Sequence, residues 1–400
     1  MSGLLQSIDH LKIFESLAKK SLDLGTSVSS FSTLDAQMMS IAIKLAEKGI
    51  YTTTPNPNVG CVIVSSEGQI VGQGWHQKAG TEHAEVHALK QAGAFAKGST
   101  AYVTLEPCSH YGRTAPCAEA LIKAGVTRVV AAMIDPNPLV AGKGLALLEA
   151  QGIKTSSGLL ESQARLLNPG FIKRMQTGMP RVTVKLASSL DGKTALHNGQ
   201  SQWITGPKAR QDVQRHRAKS CAILSGSGTV MADNPSLNVR FAELGDLGDD
   251  FKEQNLRQPL RVLLDGRNQL SSNLKLFGLP GKTLVVNKTT SECQFPDGVQ
   301  QWQAPAAGNK LDLNAVIQHL GDIGLNEVWV EAGARLAGAL LQEKLIDELI
   351  LYQAPKLMGE QSQGLFQISP LDNMHQVYQL AWKDVRQIGE DLKITAQVRY

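Results

Sequence analysis

From Leu34 onward the chain alternates short apolar runs with helical patterns, and after a break rich in proline and glycine the alternation starts again. LDAQMMSIAIKLAEKG has the spacing of a helix that closes at Gly49. VGCVIVSS and QIVGQGW read as strands joined by a turn at Glu67 and Gly68. A helix opens near His83; AYVTLE, TRVVAAM and the short IKTSS read as strands, with the helices CAEALIKAG and GLALLEAQG between them. Strands separated by helices of this length imply an α/β domain with a substantially parallel sheet.

The break is LLNPGFIKRMQTGMP, residues 166 to 180, where Pro169, Gly170, Gly178 and Pro180 suggest a linker. Beyond it RVTVKLA, CAILSG, LRVLLD, TLVVN, EVWVE and ELILYQ read as strands. Helices are expected at PKARQDVQRHRAK, from Leu313 to Leu320 and from Arg335 to Gln342. Four hundred residues suit two such domains in series, and no short-period repeat points to a solenoid. Residues 1 to 33 stand apart: Leu4, Leu5, Ile8, Leu11 and Phe14 have helical spacing, and a Ser/Thr-rich stretch follows, so an appended helix and a linker are expected.

The formal charge of +4 is spread thinly, without the Lys/Arg block of a nucleic-acid arm, and is compatible with small phosphorylated ligands. Five cysteines, a sparse and odd number, argue against a disulfide framework and for a reducing compartment. No apolar run approaches the ~20 residues of a membrane span, and the N-terminus lacks a basic region followed by an apolar core. A cytoplasmic protein that binds neither nucleic acid nor membrane is expected.

The chemistry concentrates in TEHAEVHALK and PCSHYGRTAPC. His83 and Glu85 are two apart, and residues so spaced do not share a face within a helix body; both reach one point only in a helix's first turn, as Thr81 and Glu82 before them suggest. Zinc prefers Cys and His in tetrahedral geometry, and a catalytic zinc takes three such ligands and leaves the fourth position to water. His83, Cys108 and Cys117 supply that count. Cys117 opens a helix, whose positive end helps hold a thiolate, and Cys108 follows a strand, where open α/β sheets bind their ligands. Glu85 is then the unligated acid that moves protons between the attacking water, a ring nitrogen and departing ammonia. This is the pattern of the zinc deaminases, H-x-E followed by P-C-x-x-C, here with eight residues between the cysteines instead of two. Cys61, Cys221 and Cys293 stand in apolar contexts and read as buried hydrophobes. His87 lies four residues after His83 without the order of a zincin motif, and reads as structural or as a neighbour of the substrate.

TPNPNVGCVIV, HAEVHAL, AYVTLEPCSHYGRTAPC and DPNPLVAGKG together resemble the N-terminal half of the bifunctional riboflavin-biosynthesis deaminase/reductase family, over about residues 34 to 160. The resemblance implies a cytidine-deaminase-like three-layer αβα domain, residues 34 to 165, with one Zn2+ on His83, Cys108 and Cys117 and Glu85 as proton shuttle. Asn56, His76, His110 and Arg113 become substrate contacts, with a solvated loop arginine as the alternative for Arg113. The family reads GRTPPC where this chain has GRTAPC, which removes one ring constraint from the loop.

In the second half VWVEAGARLAGALLQ passes from a strand through Gly333 into a helix, a turn at which phosphate can meet helix-end amides. Small residues there can equally serve close packing of helix on sheet. KLASSLDGKTA, SQWITG, GSGTVMADNPSLNVR, RVLLDG and VEAGARLAGALL occur in the order of the same family's reductase half, across about 180 to 385. That likeness implies a dihydrofolate-reductase-like α/β domain, residues 181 to 400, that uses NADPH. It implies a cofactor surface of Ala187, Trp203, Thr229, Asp233, Gly266 and the turn Gly333, Ala334, Arg335, Leu336, Ala337, Gly338 and Ala339. Ser201, Arg217, Leu237, Arg240 and Glu331 fall on the substrate side, with Arg217 and Arg240 suited to a ribose phosphate; an exposed helix arginine and a strand-end charge are their alternatives. Lys185 and Asp233 are candidates for positioning or proton supply.

The expected substrate is a small phosphoribosylaminopyrimidine, and the expected assembly a homo-oligomer through the reductase domain. A nucleoside or tRNA deaminase is disfavoured by the insert, the absence of a basic surface and the second domain. A structural-zinc module would need a fourth ligand such as His76, His87 or His110.

Overall fold

The computed structural model describes residues 31 to 111, 115 to 138, 140 to 247 and 251 to 400. The appended N-terminal helix and Arg113 lie outside the described residues.

In the first half, helix α1 (Thr33–Glu47) is opened by a capping box between Ser32 and Asp35. Strands β1 (Gly60–Val64) and β2 (Ile70–Trp75) form a hairpin whose turn uses Gly68 at φ +82°. Helix α2 (Ala84–Ala92), β3 (Thr100–Val103), α3 (Cys117–Ala124), β4 (Arg128–Ala131), α4 (Lys143–Ala150) and β5 (Lys154–Ser157) follow. The sheet order is β2-β1-β3-β4-β5. The substantially parallel sheet expected from the alternation is in fact mixed: β3, β4 and β5 are parallel, while β1 runs antiparallel to both neighbours. The short connection from β1 to β2, residues 65 to 69, makes a hairpin, and only the helix-bearing connections cross over.

Successive strand residues feed two cores, as the two-residue period requires. Cys61, Ile63, Ala101 and Val103 pack with residues of α2, α3 and α4 on one face. Val62, Val64, Tyr102 and Val130 pack with Met39 and Ala42 of α1 on the other, which gives the three layers.

Helices α5 (Glu161–Leu167) and α6 (Pro169–Thr177) occupy the stretch read as a linker. Pro169 sits at the first helical position and Gly178 closes α6 at φ +77°, so the residues that looked like breakers are a helix's start and stop. Helix α6 joins the halves: Gly170 N donates to Glu327 Oε1 at 2.8 Å, Arg174 Nε to Asn326 Oδ1 at 2.6 Å and Lys173 Nζ to Asp347 Oδ2 at 2.7 Å.

The second half contains β6 (Arg181–Ser189), β7 (Lys193–Ala195), α7 (Pro207–Lys219), β8 (Ala222–Gly226), α8 (Ser227–Asp233), β9 (Leu260–Leu264), β10 (Thr283–Asn287) and β11 (Val299–Gln303). After the small pair β12 (Ala306–Ala307) and β13 (Lys310–Leu311) come α9 (Leu313–Asp322), β14 (Glu327–Glu331), α10 (Ala334–Gln342), β15 (Glu348–Ala354), β16 (Gln363–Gly364), β17 (Gln379–Ile388) and β18 (Asp391–Arg399). Nine strands form one sheet in the order β11-β10-β9-β8-β14-β6-β15-β18-β17. It is parallel from β11 to β15 and ends in the antiparallel β17/β18 hairpin. The deaminase-like half docks at the N-terminal ends of central strands: Asn326 Nδ2 donates to Pro55 O at 2.6 Å, and Thr54 Oγ1 lies 2.8 Å from Cys221 Sγ.

Candidate active sites

The first site is built from two helix starts and one strand end. His83 is the N-cap of α2, with extended backbone at φ −80° and ψ 168°, and Glu85 is the second helical residue. That break between extended and helical backbone lets the pair converge. Gly74 brings β2 against the same turn: a Cβ there would lie 2.4 Å from Ala84 O and 2.7 Å from His87 Cβ, so a side chain would push the ligand-bearing helix away. Cys117 is the first residue of α3, behind Pro116, and its amide donates to Cys108 Sγ at 3.3 Å.

His83 Nδ1 lies 3.7 Å from Cys108 Sγ and 3.3 Å from Cys117 Sγ, and the three ligand atoms fall within 4.8 Å of one another. Tetrahedral bonds of ~2.0 Å to nitrogen and ~2.3 Å to sulfur would separate such atoms by roughly 3.5 Å, so the donor set fits zinc without rearrangement. His76, His87 and His110 do not belong to this group among the described residues. The contact with Cys117 holds the Cys108 thiol well below its ordinary range, helped by His83, while the same contact and burial push Cys117 up. The two sulfurs thus favour one thiolate between them, and a divalent cation would favour two.

Glu85 is buried, and its Oε2 has no hydrogen-bond partner among the described residues. Burial raises its pKa, opposed by His83. An orphaned carboxylate oxygen beside three ligand atoms suits an acid that waits for a proton from elsewhere.

Asn56 and His76 lie side by side. Asn56 Nδ2 lies 3.1 Å from His76 Nε2, and His76 Nδ1 lies 3.0 Å from Glu82 O, so the ring donates at Nδ1 and accepts at Nε2. Burial lowers the His76 pKa and keeps the ring neutral, and its edge meets the His83 ring at a centroid distance of 5.3 Å. His110 is exposed, whereas His87 Nε2 is buried without a partner among the described residues.

The second site lies at the opposite, C-terminal ends of the parallel strands. Glu331 of β14 and Lys185 of β6 sit in register on neighbouring strands. Arg217, buried on α7, grips Glu331 with a forked pair of bonds, Nε to Oε1 at 2.6 Å and Nη2 to Oε2 at 2.8 Å. Its Nη1 donates to Asn238 O at 2.9 Å, and Trp329 Nε1 adds a third bond to Glu331 Oε1 at 2.8 Å. Burial would raise the Glu331 pKa, but Arg217 prevails and holds it at about 2. Burial lowers that of Lys185, partly offset by Glu331.

These contacts place the other residues singled out in the sequence. Arg217 pairs with the carboxylate of Glu331, and Arg240 is an exposed partner of Glu243. The Leu237 side chain is buried in the core, which leaves its backbone as the group that could meet a ligand. Ala337 and Gly338 are also buried, and a Cβ on Gly338 would lie 2.1 Å from Gln367 O; this glycine serves packing. Gly333 and Arg335 are exposed, Ala334, Leu336 and Ala339 half-buried. Gly333 N donates to Thr229 Oγ1 at 3.3 Å, and no other atom lies within 4 Å of where its Cβ would be. The turn is therefore open for the approach of a phosphate. Asp233 and Trp203 are exposed, the latter under Arg210 at 4.7 Å, and Ala187, Ser201 and Gly266 are half-buried. Sequence reasoning passed over Trp329 and Glu106: the first reads as core, and the second as the end of an apolar strand.

Residues 32 to 133 match the family described as the cytidine and deoxycytidylate deaminase zinc-binding region, and residues 180 to 394 match the RibD C-terminal domain. The chain is 51% identical to the riboflavin biosynthesis protein RibD of Escherichia coli K12 over 359 residues, which cover 90% of this chain and 98% of that protein. The chain belongs to the RibD family. The RibD of Haemophilus influenzae is likewise 51% identical, over 91% of this chain and 98% of its own. Acinetobacter baumannii RibD matches in structure with a TM-score of 0.84 and 45% identity, covering 92% of this chain and 99% of that one. A Thermotoga maritima diaminohydroxyphosphoribosylaminopyrimidine deaminase/5-amino-6-(5-phosphoribosylamino)uracil reductase matches with a TM-score of 0.80 and 31% identity over the same shares. As a RibD-family chain this is a deaminase and reductase of riboflavin biosynthesis, with a zinc-binding deaminase region and a reductase half that implies a nucleotide cofactor.

Proposed function

We propose that residues 34 to 165 hydrolytically remove the C2 amino group of 2,5-diamino-6-(5-phosphoribosylamino)pyrimidin-4-one, and that residues 181 to 400 use NADPH to reduce the resulting 5-amino-6-(5-phosphoribosylamino)uracil to its ribitylamino form. Residues 166 to 180 join the two parts. The observation that carries the reading is the buried, partnerless Glu85 oxygen beside His83, Cys108 and Cys117.

His83, Cys108 and Cys117 would hold zinc, which when bound polarises water toward a nucleophile near neutral pH. Glu85 takes one proton from the water and delivers it to the ring nitrogen, then takes the second from the hydroxyl added to carbon and passes it to the departing amine, so water and the amino compound yield a carbonyl and ammonia. Asn56 and His76 orient the pyrimidine beside His83, and His110 and Arg113 meet it from the insert.

In the reductase half NADPH supplies the hydride. Gly333, Ala334 and Arg335 offer the open helix end to its pyrophosphate, with Ala187, Trp203, Thr229, Asp233 and Gly266 along the rest of the cofactor. Ser201, Glu331 and Lys185 face the sugar, with Arg217 locking Glu331 in its ionised form. Alignment of hydride donor and acceptor carbon carries most of this step. The protein acts in the cytoplasm, and pairing of copies through the reductase half would cover the exposed Leu380, Trp382 and Val385 of the edge hairpin.

Glu85→Gln tests the assignment. The variant should keep its zinc, release no ammonia, and still reduce the deaminated substrate. Loss of zinc with the glutamine would make Glu85 a ligand and overturn its role as proton carrier.

A further inference from the structure

Glu106 stands two residues before Cys108 and is 3% exposed. Its carboxylate collects four backbone amides from one segment: Asp135 N at 3.1 Å and Gly142 N at 2.9 Å on Oε2, Gly144 N at 2.8 Å and Leu145 N at 3.3 Å on Oε1. Gly142 caps α4, and Gly144 and Leu145 lie in its first turn, so the carboxylate fills the positive end of that helix. The Glu106 amide in turn donates to Met133 O at 3.0 Å.

The next link is steric. A Cβ on Gly144 would lie 1.9 Å from Pro107 O, so α4 rests directly on the peptide that leads into Cys108. DPNPLVAGKG stands out in the sequence, and the amides of its Asp135, Gly142 and Gly144 all bind Glu106. Here it is the frame that clamps Glu106 and Pro107 from both sides.

We infer that Glu106 is a positioning residue for the metal centre. Its carboxylate ties the end of β3 to residues 135 to 145, and so sets Cys108 Sγ at ligand distance from His83 Nδ1 and under the Cys117 amide. The inference rests on the zinc reading of His83, Cys108 and Cys117. A carboxylate accepts on both oxygens, whereas glutamine offers one acceptor and one NH2 group. Glu106→Gln therefore sets donor against donor at two of the four amides. Gly144→Ala perturbs the same junction from the opposite side.

The test uses the full-length chain stripped of metal and titrated with zinc against a competing chelator. Both variants should bind zinc about 10- to 100-fold more weakly than the unaltered chain, the usual cost of disturbing groups behind metal ligands. Their cobalt-substituted forms should show shifted thiolate charge-transfer bands, and reductase activity should persist. Zinc affinity within about twofold of the unaltered chain would overturn the inference. So would melting temperatures that fall equally with and without zinc, since that marks a loss of fold alone. Failure of the unaltered chain to bind zinc tightly would overturn the underlying zinc reading instead.

Discussion

Glu331→Gln replaces a carboxylate that takes two bonds from Arg217 and one from Trp329. Burial alone would raise the acid's pKa; Arg217 instead holds it at about 2, against the ordinary 4.5. The folded value lies below the unfolded one, so the pair's contribution is fully present above the unfolded pKa and drains away as the pH falls through the folded pKa. A gap of roughly two and a half pH units corresponds to ~3 kcal/mol, of which about 2 kcal/mol is lost between about pH 6 and about pH 3. Glutamine cannot ionise, and it leaves Arg217 buried without a counter-charge, a change that costs ~3–5 kcal/mol near neutral pH. Denaturant unfolding followed by tryptophan fluorescence at several pH values measures both quantities. The stability gap between the unaltered chain and the variant should narrow by about 2 kcal/mol as the pH falls across that window. A gap that stays constant with pH would refute the assignment of the low pKa to this carboxylate.

Zinc-edge absorption spectroscopy of the unaltered chain should find two sulfur and one nitrogen ligand from the protein plus one light atom; four protein ligands would mark a structural centre. Gly338→Ala places a methyl group against the Gln367 carbonyl, which a Cβ would meet at 2.1 Å, and should cost ~1–3 kcal/mol in thermal melts. An unchanged melting temperature would mean that the 367 segment moves aside freely.

The metal site was legible because its ligands, though 25 and 34 positions apart, are residue types whose own settings are written locally. His83 and Cys117 each open a helix, and a helix start is written in the few residues around it. Glu106 was hidden because its four partners are backbone amides, 29 to 39 positions away, which no residue type announces. The reductase site depends on such distant pairings throughout. Arg217 and Glu331 are 114 residues apart, and nothing in either neighbourhood announces that the arginine will pair with that carboxylate. Pro169 and Gly178 misled in a different way, because the residues that end a helix also begin one. The β17/β18 hairpin left little trace because residues of β17 are exposed on both faces, which blurs the alternation that marks a half-buried strand.

Product analysis of the zinc-loaded chain supplied with the diaminopyrimidinone substrate tests the two-step account most directly. Ammonia and the aminouracil should form without NADPH, and the ribitylamino product should form only when NADPH is added. Failure to release ammonia, together with no NADPH-dependent conversion of the aminouracil, would contradict it.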